Sequence, residues 1–311
     1  PLIDQYPDNV MICTDDCHPD DLENGHLKTI LLKGLSYKID LFNILKALTI
    51  NPVLHYNIPV GTLNIGDTAD FIVVDSLNSF NVKKTYINGK LVYDSSKSLN
   101  YHFDLEPVNT FNANFISPDD IAVPANSHII KVIEASDKSL FTKSIHVKAK
   151  IENGKILQDI NNDILKIICL NRYRLEKPSV AFIKGFRLKN CAIAQTIAHD
   201  SHNIIALGTS DDDIIKAVNH LITLNGGIVV VNNGNIFDLP LEIAGIISEA
   251  NPKAVSITYK KLENLVLNCG SKLSSPFMTL SFMSLLVIPE LKISDKGLFD
   301  VNSFKFTSVY D

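Results

Sequence analysis

The chain has little of what several common protein classes require. Its cysteines number five, an odd count: Cys13, Cys17, Cys169, Cys191 and Cys269. Only Cys13 and Cys17 lie close together, and no second Cys or His pair stands at zinc-finger spacing from them, so no structural zinc motif is present. Scattered, unmatched thiols suit a reducing compartment, and the cytoplasm is the expected location. Positive charge is not in excess: 29 Lys and Arg against 34 Asp and Glu give a net charge of −5. Without a basic face, nucleic acid is not an expected partner. No uninterrupted apolar run approaches the ~20 residues of a membrane helix, so a membrane is not an expected partner either. The N-terminus shows no signal-peptide pattern, and no repeat or low-complexity segment stands out. The first residue is Pro1 rather than Met, which points to a fragment or a processed start.

What is present is a globular balance. Of 311 residues, 46% are hydrophobic and 20% charged, enough for two or three compact units with their own cores. Val10 to Thr14 reads as a buried strand ending in Asp15-Asp16, followed by a polar turn from Cys17 to His26 containing Pro19. Helical spacing follows over His26–Leu35 and Asp40–Leu48, with Asp40 as N-cap and Asn51-Pro52 as the stop. Phe71–Val74 reads as a strand, and Asn88-Gly89 between Thr85–Ile87 and Leu91–Tyr93 is a hairpin signal. Residues 95–125 are polar enough to read as a surface linker. Strands are expected at 128–133, 145–151, 164–170 and 228–231, with turns at Asn153-Gly154 and Asn233-Gly234. Ser210 caps a helix whose apolar face is Ile214, Ile215, Val218, Leu221 and Ile222, so Asp211–Asp213 reads as a dipole-favoured first turn rather than a metal site. Asn251-Pro252 opens another helix, and Phe277–Leu291 reads as core. Arg172, following a buried strand, is expected to pair with a carboxylate inside the fold or to contact a ligand.

The densest chemistry lies between two apolar runs. Ala192–Ala194 precedes and Ile204–Leu207 follows a segment holding His199, Asp200, Ser201, His202 and Asn203. In an extended chain, His199, Ser201 and Asn203 would face away from Asp200 and His202, so these groups converge only if the backbone turns. Two readings stand side by side. One is a hydrogen-bonded turn pinning two strands; the other is a site for a metal or a polar small molecule, since imidazole and carboxylate serve both.

The run Ala198–Ile205 with Gly208-Thr209-Ser210, Ala217-Val218-Asn219, Gly226-Gly227, Pro276–Phe282, Val287–Lys292 and Asp295–Leu298 resembles the C-terminal domain of bacterial adenine deaminases of the amidohydrolase superfamily. Asn171-Arg172-Tyr173 also matches that domain. Thr14–Asp16, His18–Leu22, Gly25-His26 and Thr49–Pro52 resemble the eighth strand and following segment of that family's barrel. The resemblance implies a mixed α/β fold in three parts. These are the last strand-helix unit of a β/α barrel at 1–55, a small β-sandwich portion and linker at 56–110, and a C-terminal α/β domain at 111–311.

It implies hydrolysis of adenine to hypoxanthine and ammonia by hydroxide on a divalent metal, manganese or iron. The aspartate closing the eighth strand binds metal and shuttles the proton; Asp15 is the better match and Asp16 the fallback. His18, His199, Asp200, Ser201, His202 and Asn203 are the candidate pocket or supporting residues. The family's His-x-His pair and middle-strand histidines have no counterpart upstream of Asp15, so the expected partner besides adenine is a homo-oligomer mate or a complementary barrel half. The alternatives are a non-catalytic fragment or assembly module, and another cyclic-amide amidohydrolase.

Overall fold

The computed structural model describes residues 2–97 and 108–311. The chain divides into two compact units, Pro1–Asp104 and Leu105–Asp311.

The first unit begins with the helices α1 (Leu2–Gln5), α2 (Pro19–Asn24), α3 (Leu27–Ser36), α4 (Leu41–Leu48) and α5 (Ile50–Tyr56). A three-stranded antiparallel sheet follows: β1 (Phe71–Val74), β2 (Val82–Ile87) and β3 (Lys90–Asp94). The Asp40 carboxylate accepts the Phe42 and Asn43 N–H groups, the cap expected for α4. Leu31, Ile44 and Phe80 form the buried cluster. Three expectations are corrected here. Residues 10–14 form no strand, because no neighbouring chain among the described residues pairs with them in a ladder. Pro19 opens α2 instead of lying in a plain turn, as suits a ring with no N–H to satisfy. Asn51-Pro52 does not end helical structure: the chain breaks at Thr49 and starts α5, with Pro52 in its first turn. Asn51 is buried and donates to the Pro7 and Val10 carbonyls, anchoring the segment that leads to Asp15.

The second unit contains β4 (Ile129–Glu134), β5 (Lys143–Lys148), β6 (Lys150–Glu152), β7 (Lys155–Leu157), β8 (Leu165–Leu170), β9 (Ser179–Lys184), β10 (Cys191–Gln195) and β11 (Ile204–Gly208). Then come α6 (Asp211–Thr223), β12 (Gly227–Asn232), β13 (Asn235–Pro240), α7 (Pro252–Asn268), α8 (Pro276–Ser281), β14 (Leu291–Ser294), β15 (Gly297–Asp300) and β16 (Lys305–Thr307). Eight strands form one sheet in the order β13-β12-β10-β11-β8-β9-β4-β5. The β4–β9 pair is parallel and the other neighbours are antiparallel.

Both faces of this sheet are covered, which is why its central strands read as continuous apolar runs. On one face Ile167, Cys169, Ile193, Ile205, Leu207 and Val230 meet Tyr259, Leu262 and Val266 of α7, Phe277 and Leu280 of α8, and Leu291 and Ile293 of β14. On the other, Ile168, Leu170, Ala192, Ala194, Ile204 and Val231 meet Ile214, Ala217, Val218 and Leu221 of α6. Fully burying each such branched side chain contributes roughly 1.5–3 kcal/mol relative to exposure. The Ser210 hydroxyl caps α6 by accepting the Asp213 N–H.

The expected surface linker lies partly outside the described residues, and its remainder is not all surface. Ile116, Ile121 and Val123 are buried, with Ile116 held between both amide atoms of Asn219. Composition hides this, because a few apolar residues among many polar ones suffice to fill a groove. The expected strand at 145–151 is two strands: Ala149 falls between β5 and β6 and is itself buried.

Candidate functional site

The antiparallel pairing of β8 with β11 sets Leu170 opposite Ile204. The chain leaving β8 and the chain entering β11 therefore emerge side by side from one end of the sheet. The first supplies Asn171–Arg174 and the second His199–Asn203. The backbone turns between β10 and β11, as convergence of the polar groups requires. The His202 N–H donates to the Ala198 carbonyl at 2.6 Å, and His202 takes the left-handed conformation with φ of 50°.

The turn presents its groups unevenly. Asn203 is buried, His199 and His202 are half-buried, and Asp200 and Ser201 are exposed. The His199 ring lies against Phe282 with centroids 5.3 Å apart and planes at 29°, and its backbone N–H donates to the Ser281 carbonyl at 3.1 Å. His199 Nδ1 meets the Asp200 carboxylate. Asn203 Oδ1 accepts the Arg172 N–H at 3.3 Å, and the Tyr173 hydroxyl donates to the Ser201 carbonyl at 2.9 Å.

Arg172 corrects the expectation of a carboxylate partner. The side chain is 4% exposed, and no carboxylate among the described residues lies within ion-pair distance. Its Nη1 donates to Asn109 Oδ1 at 3.1 Å, and its Nη2 donates to Tyr173 Oη at 2.9 Å and the Ala244 carbonyl at 2.6 Å. Cζ sits 4.6 Å from the Tyr173 ring centroid. Gly245 makes room, since a Cβ there would overlap Nη1. On the opposite side of the loop, Asn171 donates to Asp295 Oδ2 at 2.7 Å and accepts the Tyr173 and Arg174 N–H groups. A cavity of about 330 Å³ lies beside Asn109, lined also by Phe111, Leu224, Asn225 and Glu242.

Beneath Phe282, Lys292 is fully buried in β14. It donates to the Phe282 carbonyl at 3.2 Å and the Leu140 carbonyl at 2.7 Å, and burial pushes its pKa down to about 8. Burial, reinforced by the Asp295 charge, pushes the Cys169 thiol up to about 12, which makes it inert as a nucleophile.

In the first unit, Asp15 is exposed. Its Oδ1 accepts the Asp16 N–H at 2.8 Å, and its carbonyl accepts from the Cys17 thiol at 3.3 Å. His18 is the residue before α2 and does not cap it with its side chain. Thr14 Oγ1 lies 2.5 Å from His26 Nε2. Thus Asp15, Asp16 and His18 lie in the first unit, and His199, Asp200, Ser201, His202 and Asn203 lie in one turn of the second. Among the described residues no three His, Cys, Asp or Glu side chains are grouped as a metal ion would require. No described helix is long and apolar enough to cross a membrane. Sequence reasoning missed Tyr173, Asn109 and Gly245 as members of the second cluster. The signal for the tyrosine was its place next to Arg172 at a buried strand's end. Asn109 and Gly245 carried no local signal.

Comparison with known proteins bears on both units. The model of the adenine deaminase C-terminal domain matches residues 139–305, and that of the amidohydrolase family matches residues 1–92. An adenine deaminase of Methanosarcina barkeri is 48% identical over 99% of this chain and 58% of its own length. One of Salinibacter ruber is 43% identical over 98% of this chain and 56% of its own, and one of Borreliella burgdorferi is 43% identical over 98% and 57%. The chain thus spans less than two thirds of the length of these relatives. With most of its second unit matched by one family model and nearly its whole length aligned to curated members, the chain belongs to the adenine deaminase family.

Proposed function

We propose that this chain is part of an enzyme that hydrolyses adenine to hypoxanthine and ammonia. The observation carrying the reading is the alignment of 98–99% of the chain with curated adenine deaminases. In this reading residues 1–55 close an amidohydrolase barrel, 56–110 add a small β portion and linker, and 111–311 form the C-terminal α/β domain. The protein works in the cytoplasm, with adenine as substrate and a second copy or a complementary barrel half as partner.

Asp15 is the carboxylate assigned to proton transfer. Deamination requires a group that accepts a proton as water attacks the ring carbon and returns it to the departing nitrogen. The Asp16 N–H fixes the orientation of that carboxyl group. Asp16 and His18 flank it. Within the second unit, His199, Asp200, Ser201, His202 and Asn203 are the proposed pocket or supporting residues, with imidazole, carboxylate and amide groups matched to the ring nitrogens and amino group of a purine.

The family's metal, manganese or iron, does not fit the described residues taken alone. A catalytic metal needs about three protein ligands, and Asp15 has no such companions among them. In this reading the remaining ligands come from outside the described residues.

Ammonia release from adenine tests the reading. The 311-residue chain is assayed alone with manganese or ferrous iron, and then within the complete polypeptide. Activity only in the complete polypeptide, abolished by Asp15→Asn, is the expected result. Full activity of Asp15→Asn in that setting would refute the assignment of Asp15. Absence of turnover in both settings would favour a non-catalytic assembly module.

A further inference from the structure

The histidine turn is held by a buried guanidinium that has no carboxylate partner among the described residues. A buried guanidinium is costly unless it is paired, and removing charge from water is repaid only by well-made bonds. Among the described residues Arg172 meets neutral groups: Asn109 Oδ1, the Ala244 carbonyl, the Tyr173 hydroxyl and the Tyr173 ring face. One of these groups reaches onward. The Tyr173 oxygen accepts from Arg172 Nη2 and donates to the Ser201 carbonyl, both at 2.9 Å.

The direction of this relay is fixed by chemistry. A guanidinium donates and never accepts, whereas a phenol has one proton to give. With Arg172 occupying a lone pair of the oxygen, the tyrosine proton is directed to Ser201. Donation from a cation also polarises the hydroxyl and strengthens its outgoing bond. The Ser201 carbonyl lies between Asp200 and His202, so its position sets the direction in which both side chains leave the turn. The Arg172 N–H adds a second tie through Asn203 Oδ1. Gly245 keeps the guanidinium's place open, because any Cβ at that position would overlap Nη1.

We propose that Arg172 and Tyr173 are positioning residues that hold the His199–Asn203 turn in the geometry in which it meets the substrate. The proposal rests on the reading above that this turn lines the pocket. Neither residue touches the reacting atoms; both act through Ser201 and Asn203.

The test combines a structural and a kinetic readout. In the 311-residue chain with labelled histidines, Tyr173→Phe, which keeps the ring and removes only the hydroxyl, is expected to shift the ring-nitrogen signals of His199 and His202. In the complete polypeptide the same variant is expected to raise KM for adenine about fivefold, the factor lost with roughly one hydrogen bond, while kcat stays within about twofold. Arg172→Lys is expected to act in the same direction, since a point charge cannot replace the guanidinium's fork. Unchanged histidine signals together with unchanged KM in Tyr173→Phe would overturn the proposal. If His199→Ala and His202→Ala raise KM but Tyr173→Phe does not, the positioning role falls and the pocket reading stands. If the signals shift while neither the histidine variants nor Tyr173→Phe alter KM, the clamp is supported and the pocket reading falls.

Discussion

Lys292 makes alkaline pH a stabilising condition for the second unit. The side chain is fully buried in β14, and its ammonium is held by the Leu140 and Phe282 carbonyls without a carboxylate in ion-pair contact among the described residues. Burial lowers its pKa from 10.5 to about 8. The folded state therefore gives up this proton more readily than the unfolded state. Between pH 8 and 10.5 the unfolded chain binds more protons, so stability rises with pH across that window. At about 1.4 kcal/mol per unit, the full rise from this group is on the order of 3 kcal/mol.

Lys292→Met keeps most of the side-chain volume and removes the charge. Near pH 7 the variant escapes the cost of a buried ammonium but leaves two carbonyls without their donor, at about 1–3 kcal/mol each, so the two effects largely offset. Near pH 10 the wild type has recovered most of its burial cost, and the variant falls behind by a further ~3 kcal/mol. Urea unfolding followed by far-ultraviolet circular dichroism at pH 7, 8, 9 and 10 gives the wild-type-minus-variant difference, in which other titrating groups cancel. Parallel stability curves for the two proteins would refute the reasoning.

Two further outcomes follow from buried contacts. Lys166 is fully buried and donates to both carboxylate oxygens of Asp211, at 2.6 and 2.7 Å. Asp211→Asn strands that charge and is expected to cost about 3–5 kcal/mol in chemical unfolding, whereas a loss below ~1 kcal/mol would mean the pair is unimportant. Gly245 has φ of 70° and no room for a Cβ. Gly245→Ala is expected to lose about 1–3 kcal/mol, measurable as a lowered Tm, and an unchanged Tm would show that Arg172 yields freely.

Much of the second unit was legible in the chain itself. Ser210 before three aspartates and the spacing of Ile214, Val218 and Leu221 specify α6, because cap, dipole and apolar stripe agree. Asn153-Gly154 and Asn233-Gly234, like Asn88-Gly89 in the first unit, mark their turns, since asparagine and glycine tolerate the positive φ found at all six positions. In the first unit, Asp40 fixes the start of α4 in the same local way.

The candidate site was legible only in part. The polar run at 199–203 announced a turn through its own crowding, and the structure makes that turn. Of the neighbours that hold it, Arg172 and Tyr173 stood out at the end of a buried strand, whereas Asn109 and Gly245 were silent, because they are far away along the chain and lack any distinguishing pattern. Arg172 in particular misleads in sequence. An arginine after a buried strand invites a carboxylate partner, and the fold supplies amide, carbonyl and hydroxyl oxygens instead. Lys166 and Lys292 are similar cases: both stand in strands, and only the layers packed over the sheet make them interior.

By itself the sequence determined the elements whose causes are local. These are the caps, the turns, the apolar stripe of α6, the continuous runs of β8, β10, β11 and β12, and the motifs that mark the family. Only the tertiary structure decided which strands neighbour one another, that residues 111–123 contribute to the core, that residues 10–14 find no ladder among the described residues, and that the loop after β8 grips the turn before β11. The physical reason is the range of the interactions. A cap or turn is satisfied within a few residues, whereas strand pairing, burial of a lysine and the partners of a buried guanidinium depend on groups that only the fold brings together.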